Sequence, residues 1–163
     1  MSEFYIFTQP KHCGKSLKLL EWSEGQAPTT VAGFLTPTQG EDKRKVLYDL
    51  QTKTTSPFEE PTGSAATPTV QINSYNLSAA AFSQAEEIYA RTEGAAIFVV
   101  DEVGPLELQG GGHHNLLLRI LGEKKIPKIL LVVREGLVEE VSSKYFASES
   151  TPRVLENLEG FSV

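Results

Sequence analysis

Two carboxylates, Asp101 and Glu102, follow an unbroken apolar run, Ala96–Val100. A continuous run with β-branched residues reads as a strand buried on both faces. Buried carboxylates are costly unless paired, protonated or bound to a cation, so two of them at a strand end mark a site. Gly104 and Pro105 then break the run and turn the chain away. A second cluster lies near the N-terminus. Gly14, Lys15 and Ser16 match the last three fixed positions of the phosphate-binding loop G-x-x-x-x-G-K-[ST]. In that loop backbone amides cradle phosphates, the lysine reaches the β and γ groups, and the hydroxyl binds Mg²⁺. Gln9 stands where the first glycine belongs, which demands a different backbone path or strain, and Pro10 removes one amide from the cradle.

Each cluster has a plainer reading. G-K-S at a helix start is also a chance match in which serine only caps the helix, and an Asp-Glu pair is also a solvated strand end. Together in one chain they support each other: the aspartate holds Mg²⁺ through its water shell and the glutamate orients or deprotonates the attacking water. Arg134 follows the run Lys128–Val133. It is either a cation facing the same cleft, stabilising charge on a transferring phosphoryl group, or a surface arginine. Cys13 is either a redox thiol or a small loop filler. His12, His113 and His114 lack partners at zinc-ligand spacing and read as exposed. Trp22 and Tyr75 are base-stacking candidates, with core or rim packing as the simpler role, and Glu107 reads as a solvated side chain.

The elements that must position these residues follow from pattern. Phe4–Thr8 predicts a first strand, Gln9–Ser16 a loop, and the next residues a short helix ending near Gly25. Thr30–Thr36 and Lys45–Leu50 predict two strands of a hairpin whose tip is Pro37–Arg44. Gln51–Thr69, rich in Thr, Ser, Pro and Gly, reads as a surface loop, functional or mobile. Val70–Ile72 predicts a short strand, and Asn76 or Ser78 a cap for the helix carrying Ala81, Phe82, Ala85, Ile88 and Tyr89, which Gly94 ends. After the central strand come a flexible Gly110–Gly112 loop, a helix over Asn115–Leu121 and a buried strand over Lys128–Val133. Gly136–Ser142 reads as helical, and Arg153–Leu158 as a last strand or short helix. Strands alternating with helices argue for a mostly parallel α/β sheet with an antiparallel hairpin attached.

Composition bounds the rest. One domain over residues 1–163 is expected, with ordinary apolar (40%) and charged (22%) fractions for a globular chain. The net charge of −6 argues against a broad nucleic-acid-binding face. The single cysteine excludes an internal disulfide and suits a reducing cytoplasm. No apolar run nears the ~18 residues that span a membrane, and the N-terminus is unlike a signal peptide. There is no internal repeat.

Asp101–Leu108, DEVGPLEL, resembles the D-E-[IV]-G-x-[ML]-E-L Walker B signature of the small P-loop nucleoside-triphosphatases first recognised in thermophiles. Gly33–Thr36 resembles that family's G-F-x-T strand, and Tyr48-Asp49-Leu50 is similar to its G-F-D-[IL] strand. Phe82–Tyr89 matches the following helix in character, and Val132-Val133-Arg134 falls at the next core strand. The resemblance spans Phe4 to Val141. It implies a three-layer α/β P-loop fold and Mg²⁺-dependent hydrolysis of nucleoside triphosphates, slow and tolerant of the base. It also implies Lys15 on phosphate, Ser16 and Asp101 on Mg²⁺, Glu102 as general base, and a phosphate-facing amide from Gly14. Lys11, His12, Cys13, Gly14, Lys15 and Ser16 would form the nucleotide-binding loop. The family loop is G-x-x-G-x-G-K-[ST], whereas this one is Q-P-K-H-C-G-K-S, with His12 on a glycine position. Each lost glycine restricts approach of amides to a pyrophosphate, and Lys11 adds charge but no amide nest. The resemblance thus leaves a second reading, a non-hydrolysing nucleotide-binding or regulatory module on a decayed P-loop scaffold. A third is phosphoryl transfer to a small acceptor. The expected ligand is a nucleotide of the ATP/GTP class, with no nucleic-acid polymer and no membrane, and no protein partner is indicated.

Overall fold

Alternation along the strands sorts the apolar side chains onto two sides of one sheet. In a computed structural model of the chain, residues 2–10, 14–41, 43–60, 69–72, 75–146 and 150–163 are described. The expectations for Lys11, His12 and Cys13 fall outside them. The chain begins with β1 (Glu3–Phe7), α1 (Lys15–Glu24), β2 (Val31–Leu35), β3 (Thr38–Gln39), β4 (Arg44–Asp49) and β5 (Thr55–Pro57). It continues through β6 (Glu59–Glu60), β7 (Thr69–Ile72), β8 (Tyr75–Ser78), α2 (Ala79–Arg91) and β9 (Ile97–Val103). The last elements are α3 (Pro105–Leu108), α4 (His114–Glu123), β10 (Lys128–Val133), α5 (Val138–Tyr145) and β11 (Arg153–Leu155).

The main sheet has the order β11-β1-β10-β9-β2-β4-β3, with β5 paired to β4. From β11 to β2 the neighbours are parallel, and β4 turns back antiparallel on β2. Phe4, Ile6, Phe98, Val100, Ile129 and Leu131 face one side, where α2, α4 and α5 pack through Ala85, Ile88, Leu116, Ile120 and Val141. Tyr5, Phe7, Ile97, Val99, Leu130 and Val132 face the other, covered by Leu19 of α1 and by Phe161. This is the expected three-layer α/β arrangement with an antiparallel hairpin. Gly33 sits at φ 109, and a Cβ there would lie 2.1 Å from the Val99 carbonyl oxygen, so only glycine lets β2 run this close to β9.

Some boundaries differ from the sequence pattern. Gln51–Thr69 is not one loop: Thr55–Pro57 pairs with β4, and Glu59–Glu60 joins β8 and β7 in a small antiparallel sheet. Asn76 lies in a strand, and Ser78 takes the N-cap position of α2 without a side-chain cap bond. That helix stops at Arg91, short of Gly94. The Arg153–Leu158 segment resolves as a strand over its first residues. Among the described residues, no helix is long and apolar enough to cross a membrane.

Candidate active site

Successive residues of a strand point to opposite faces, so neighbouring Asp101 and Glu102 reach one cleft only if the alternation breaks. It does. Val132 pairs with Asp101 but Val133 pairs with Val103, leaving Glu102 as the extra residue of a bulge. Val103 accordingly packs on the same side as Phe98 and Val100.

Ser16 and Asp101 meet as the sequence predicts. The Ser16 hydroxyl donates to Asp101 Oδ2 at 2.9 Å, and the Thr36 backbone N–H donates to the same oxygen at 3.1 Å. The Thr36 hydroxyl donates to the Asp101 carbonyl at 3.4 Å. Burial pushes the Asp101 carboxyl up from its usual range, and the neighbouring Glu102 charge adds to this, against the pull of the Thr36 and Ser16 hydrogen bonds. Glu102 stands between two cations: Lys15 Nζ is 3.4 Å from Oε2, and Arg134 Nη2 is 3.2 Å from Oε1. Arg134 is partly buried and lines a smaller pocket that adjoins the cleft at Glu102. Gly14, Lys15, Ser16, Thr36, Asp101 and Glu102 line a cleft of about 500 Å³ at the carboxyl end of the parallel strands.

Gln9 is not among the non-glycine residues with positive φ, so of its two sequence readings the different path holds. Its side chain donates to the Glu156 carbonyl at 3.2 Å and accepts from Lys18 Nζ at 2.8 Å. Trp22 packs rather than facing a base: its ring stacks on Phe161 and its N–H donates to the Phe161 carbonyl. Tyr75 falls in β8, and its side chain is outside the described residues. Thr36 and Lys45 were missed from the pattern, and both line the cleft. The signal for Thr36 was present, as the last residue of the G-F-L-T strand. Lys45, one cation among many on a hairpin strand, carries no such mark.

Two expectations are overturned behind the cleft. Glu107 is not solvated: it is 4% exposed, and its oxygens accept the N–H groups of Gly104 at 2.8 Å and His113 at 2.9 Å. Burial raises its carboxyl against those two bonds. His113 is not exposed either. It is 2% exposed, ringed by Phe34, Phe58 and Phe82, and burial pushes its imidazole down to about 3. His114 is half-buried, its Nδ1 2.8 Å from the Tyr145 hydroxyl, which donates to the Glu107 carbonyl at 3.0 Å. The Gly110–Gly112 segment is the tight wrap that delivers the His113 N–H to Glu107. At Gly112 (φ 56) a Cβ would stand 2.0 Å from Glu107 Oε2.

Solved structures share this fold. The solution structure of a human cancer-related nucleoside triphosphatase is 18% identical, with a TM-score of 0.67, over 95% of this chain and 88% of that one. The crystal structure of THEP1 from the hyperthermophile Aquifex aeolicus is 16% identical, with a TM-score of 0.70, over 97% and 92%. No curated protein sequence matches the chain. The model of the family described as NTPase matches residues 6–153, nearly the whole length, and with a sheet and cleft of this kind the chain belongs to that P-loop NTPase family.

Proposed function

We propose that this protein hydrolyses nucleoside triphosphates to the diphosphate and phosphate, with Mg²⁺ required, slow turnover and broad tolerance of the base. The observation that carries this reading is the approach of the Ser16 hydroxyl to the Asp101 carboxylate beside a glutamate flanked by Lys15 and Arg134. Ser16 and Asp101 offer only oxygen, the donor type that suits Mg²⁺. A buried carboxylate whose charged form is disfavoured also gains from a cation at that place. When bound, the ion would neutralise charge on the phosphate oxygens.

Glu102 is the general base of this reading. Lys15 holds it at 3.4 Å without nucleotide, and an incoming phosphate competes for the same ammonium. Nucleotide binding then draws Lys15 away and leaves Glu102 Oε2 open to accept a proton from water. Arg134 keeps the carboxylate oriented through Oε1. Lys45 adds positive charge at the cleft wall. The same Lys15–Glu102 pair favours the second reading, binding without turnover, if phosphate fails to separate it.

Phosphate release from ATP, GTP, CTP and UTP, with and without Mg²⁺, tests the assignment. Release with Mg²⁺ that chelation abolishes and Lys15→Ala strongly reduces supports hydrolysis. Calorimetric binding of nucleotide with no release from any of the four supports the second reading.

A further inference from the structure

A terminal phosphoryl group in transfer spreads negative charge over its oxygens, and donors fixed in place must meet it. In a glycine-rich loop, backbone amides supply many of those donors. The stretch Gln9–Ser16 has one glycine, Gly14, so more of that task falls to side chains. Among the described residues lining the cleft, the cations are Lys15 and Lys45. Arg134 lines the smaller pocket on the other side of Glu102.

Lys15 enters the cleft from the start of α1, and Lys45 enters from the hairpin strand β4. The backbone under Lys45 is held on both sides. Its N–H donates to Glu59 Oε2 at 3.1 Å, and its carbonyl accepts the Phe58 N–H at 3.2 Å. The next N–H, of Val46, donates to the Pro37 carbonyl at 2.9 Å, and Lys45 pairs with Thr38 of β3. A side chain carried on paired strands is placed more precisely than one on a loop. Thr36, Lys45 and Glu102 line both the cleft and the smaller pocket, so the half-buried Lys45 side chain runs beside the general base. Its charge also acts on Asp101, drawing that carboxyl down against the effect of burial.

We propose that Lys45 is a catalytic residue that binds the terminal phosphate and makes the site distinguish a nucleoside triphosphate from a diphosphate; this rests on the nucleotide reading above. Lys15 and Lys45 grip that phosphate from two walls of the cleft, with Glu102 beside both. A diphosphate places no group at Lys45. In hydrolysis the water oxygen bonds to the terminal phosphorus as the bond to the bridging oxygen breaks. The water proton passes to Glu102, the diphosphate leaves, and the Lys45 ammonium stays on the terminal oxygens and gives up no proton.

The test compares the full chain with its Lys45→Met variant, which keeps the length of the stem and removes the charge. Calorimetry with Mg²⁺ measures affinity for ADP and for the β,γ-imido analogue of ATP, and single-turnover phosphate release is measured with ATP. Lys45→Met weakens the analogue about tenfold, the worth of one hydrogen bond to a charged group, and leaves ADP within about twofold. Phosphate release falls about 10²-fold. Equal losses for analogue and ADP, or no loss for either, overturn the terminal-phosphate contact and leave the hydrolysis reading standing. A wild type that shows the split in affinity but releases no phosphate keeps the contact and overturns its part in turnover. A wild type that binds neither ligand and releases no phosphate overturns the nucleotide reading as well.

Discussion

The acidic end of β9 and the turn after it carry glutamates five residues apart in opposite surroundings. Glu102 has a side chain 21% exposed, and its partners are the flexible side chains of Lys15 and Arg134. Glu107 is 4% exposed, and its partners are backbone N–H groups of Gly104 and His113. Side-chain cations can change partner when an anion arrives. Backbone donors on a closed turn cannot. The difference separates a carboxylate available for reaction from one that fixes the ground on which the reaction stands. Through Glu107, the turn that leaves the acidic pair is tied to the loop entering α4.

Glu102→Gln breaks the comparison on its chemical side and carries the largest expected effect. Turnover falls by about 10²–10⁴-fold, the usual worth of a general base, while nucleotide affinity stays within a few-fold. Single-turnover phosphate release and calorimetry on the same sample check both halves. Equal losses of turnover and affinity would make Glu102 a binding group.

Glu107→Gln breaks the other side. The amide keeps one acceptor oxygen and sets an NH₂ against a backbone N–H, so stability falls by on the order of 2 kcal/mol. Denaturant unfolding reads this directly. Turnover per folded molecule drops far less than for Glu102→Gln, with kcat affected through the placement of Glu102. Gly112→Ala presses on the same carboxylate from outside. Its added methyl would enter the space of Glu107 Oε2 at a positive φ, which costs about 1–3 kcal/mol through overpacking and backbone strain.

The asymmetry between these two glutamates also explains what the sequence could and could not tell. The strand ending in Asp101-Glu102 announces itself because burial on both faces writes an unbroken apolar run, and G-K-S announces a helix start beside it. Their meeting follows from strand order in a parallel sheet. The bulge at Glu102 has no sequence mark, since one extra residue leaves the apolar run unchanged. Glu107 and His113 are polar residues among glycines, the ordinary composition of a surface loop. They are buried because the Gly110–Gly112 wrap lets backbone N–H groups satisfy the carboxylate, and backbone hydrogen bonding is invisible in residue type. The strands within Gln51–Thr69 were missed for a related reason: polar edge strands owe their pairing to β4 and β8 rather than to a hydrophobic pattern.

The smallest effect sharpens the comparison through pH. In the unfolded chain His113 takes a proton near its ordinary value of about 6.5. Folded, it resists protonation until about 3, because burial excludes the charge. Between those values the unfolded state binds one more proton, so stability contributed by the neutral ring is complete above pH 6.5 and is lost on acidification. The slope is at most about 1.4 kcal/mol per pH unit. Asp101 and Glu107, both raised by burial, act in the opposite sense and gain stability as pH falls through their raised values. Subtracting the denaturation curve of His113→Phe from that of wild type removes those carboxylates, and His114 with them, since both proteins carry them. The difference is nearly flat above pH 7 and tilts against wild type by about 1 kcal/mol between pH 6.5 and 5.5, approaching the full slope only below that. Parallel curves would mean that His113 gains a proton while folded. The loop would then open around it, and Glu107 would be no more firmly held than Glu102.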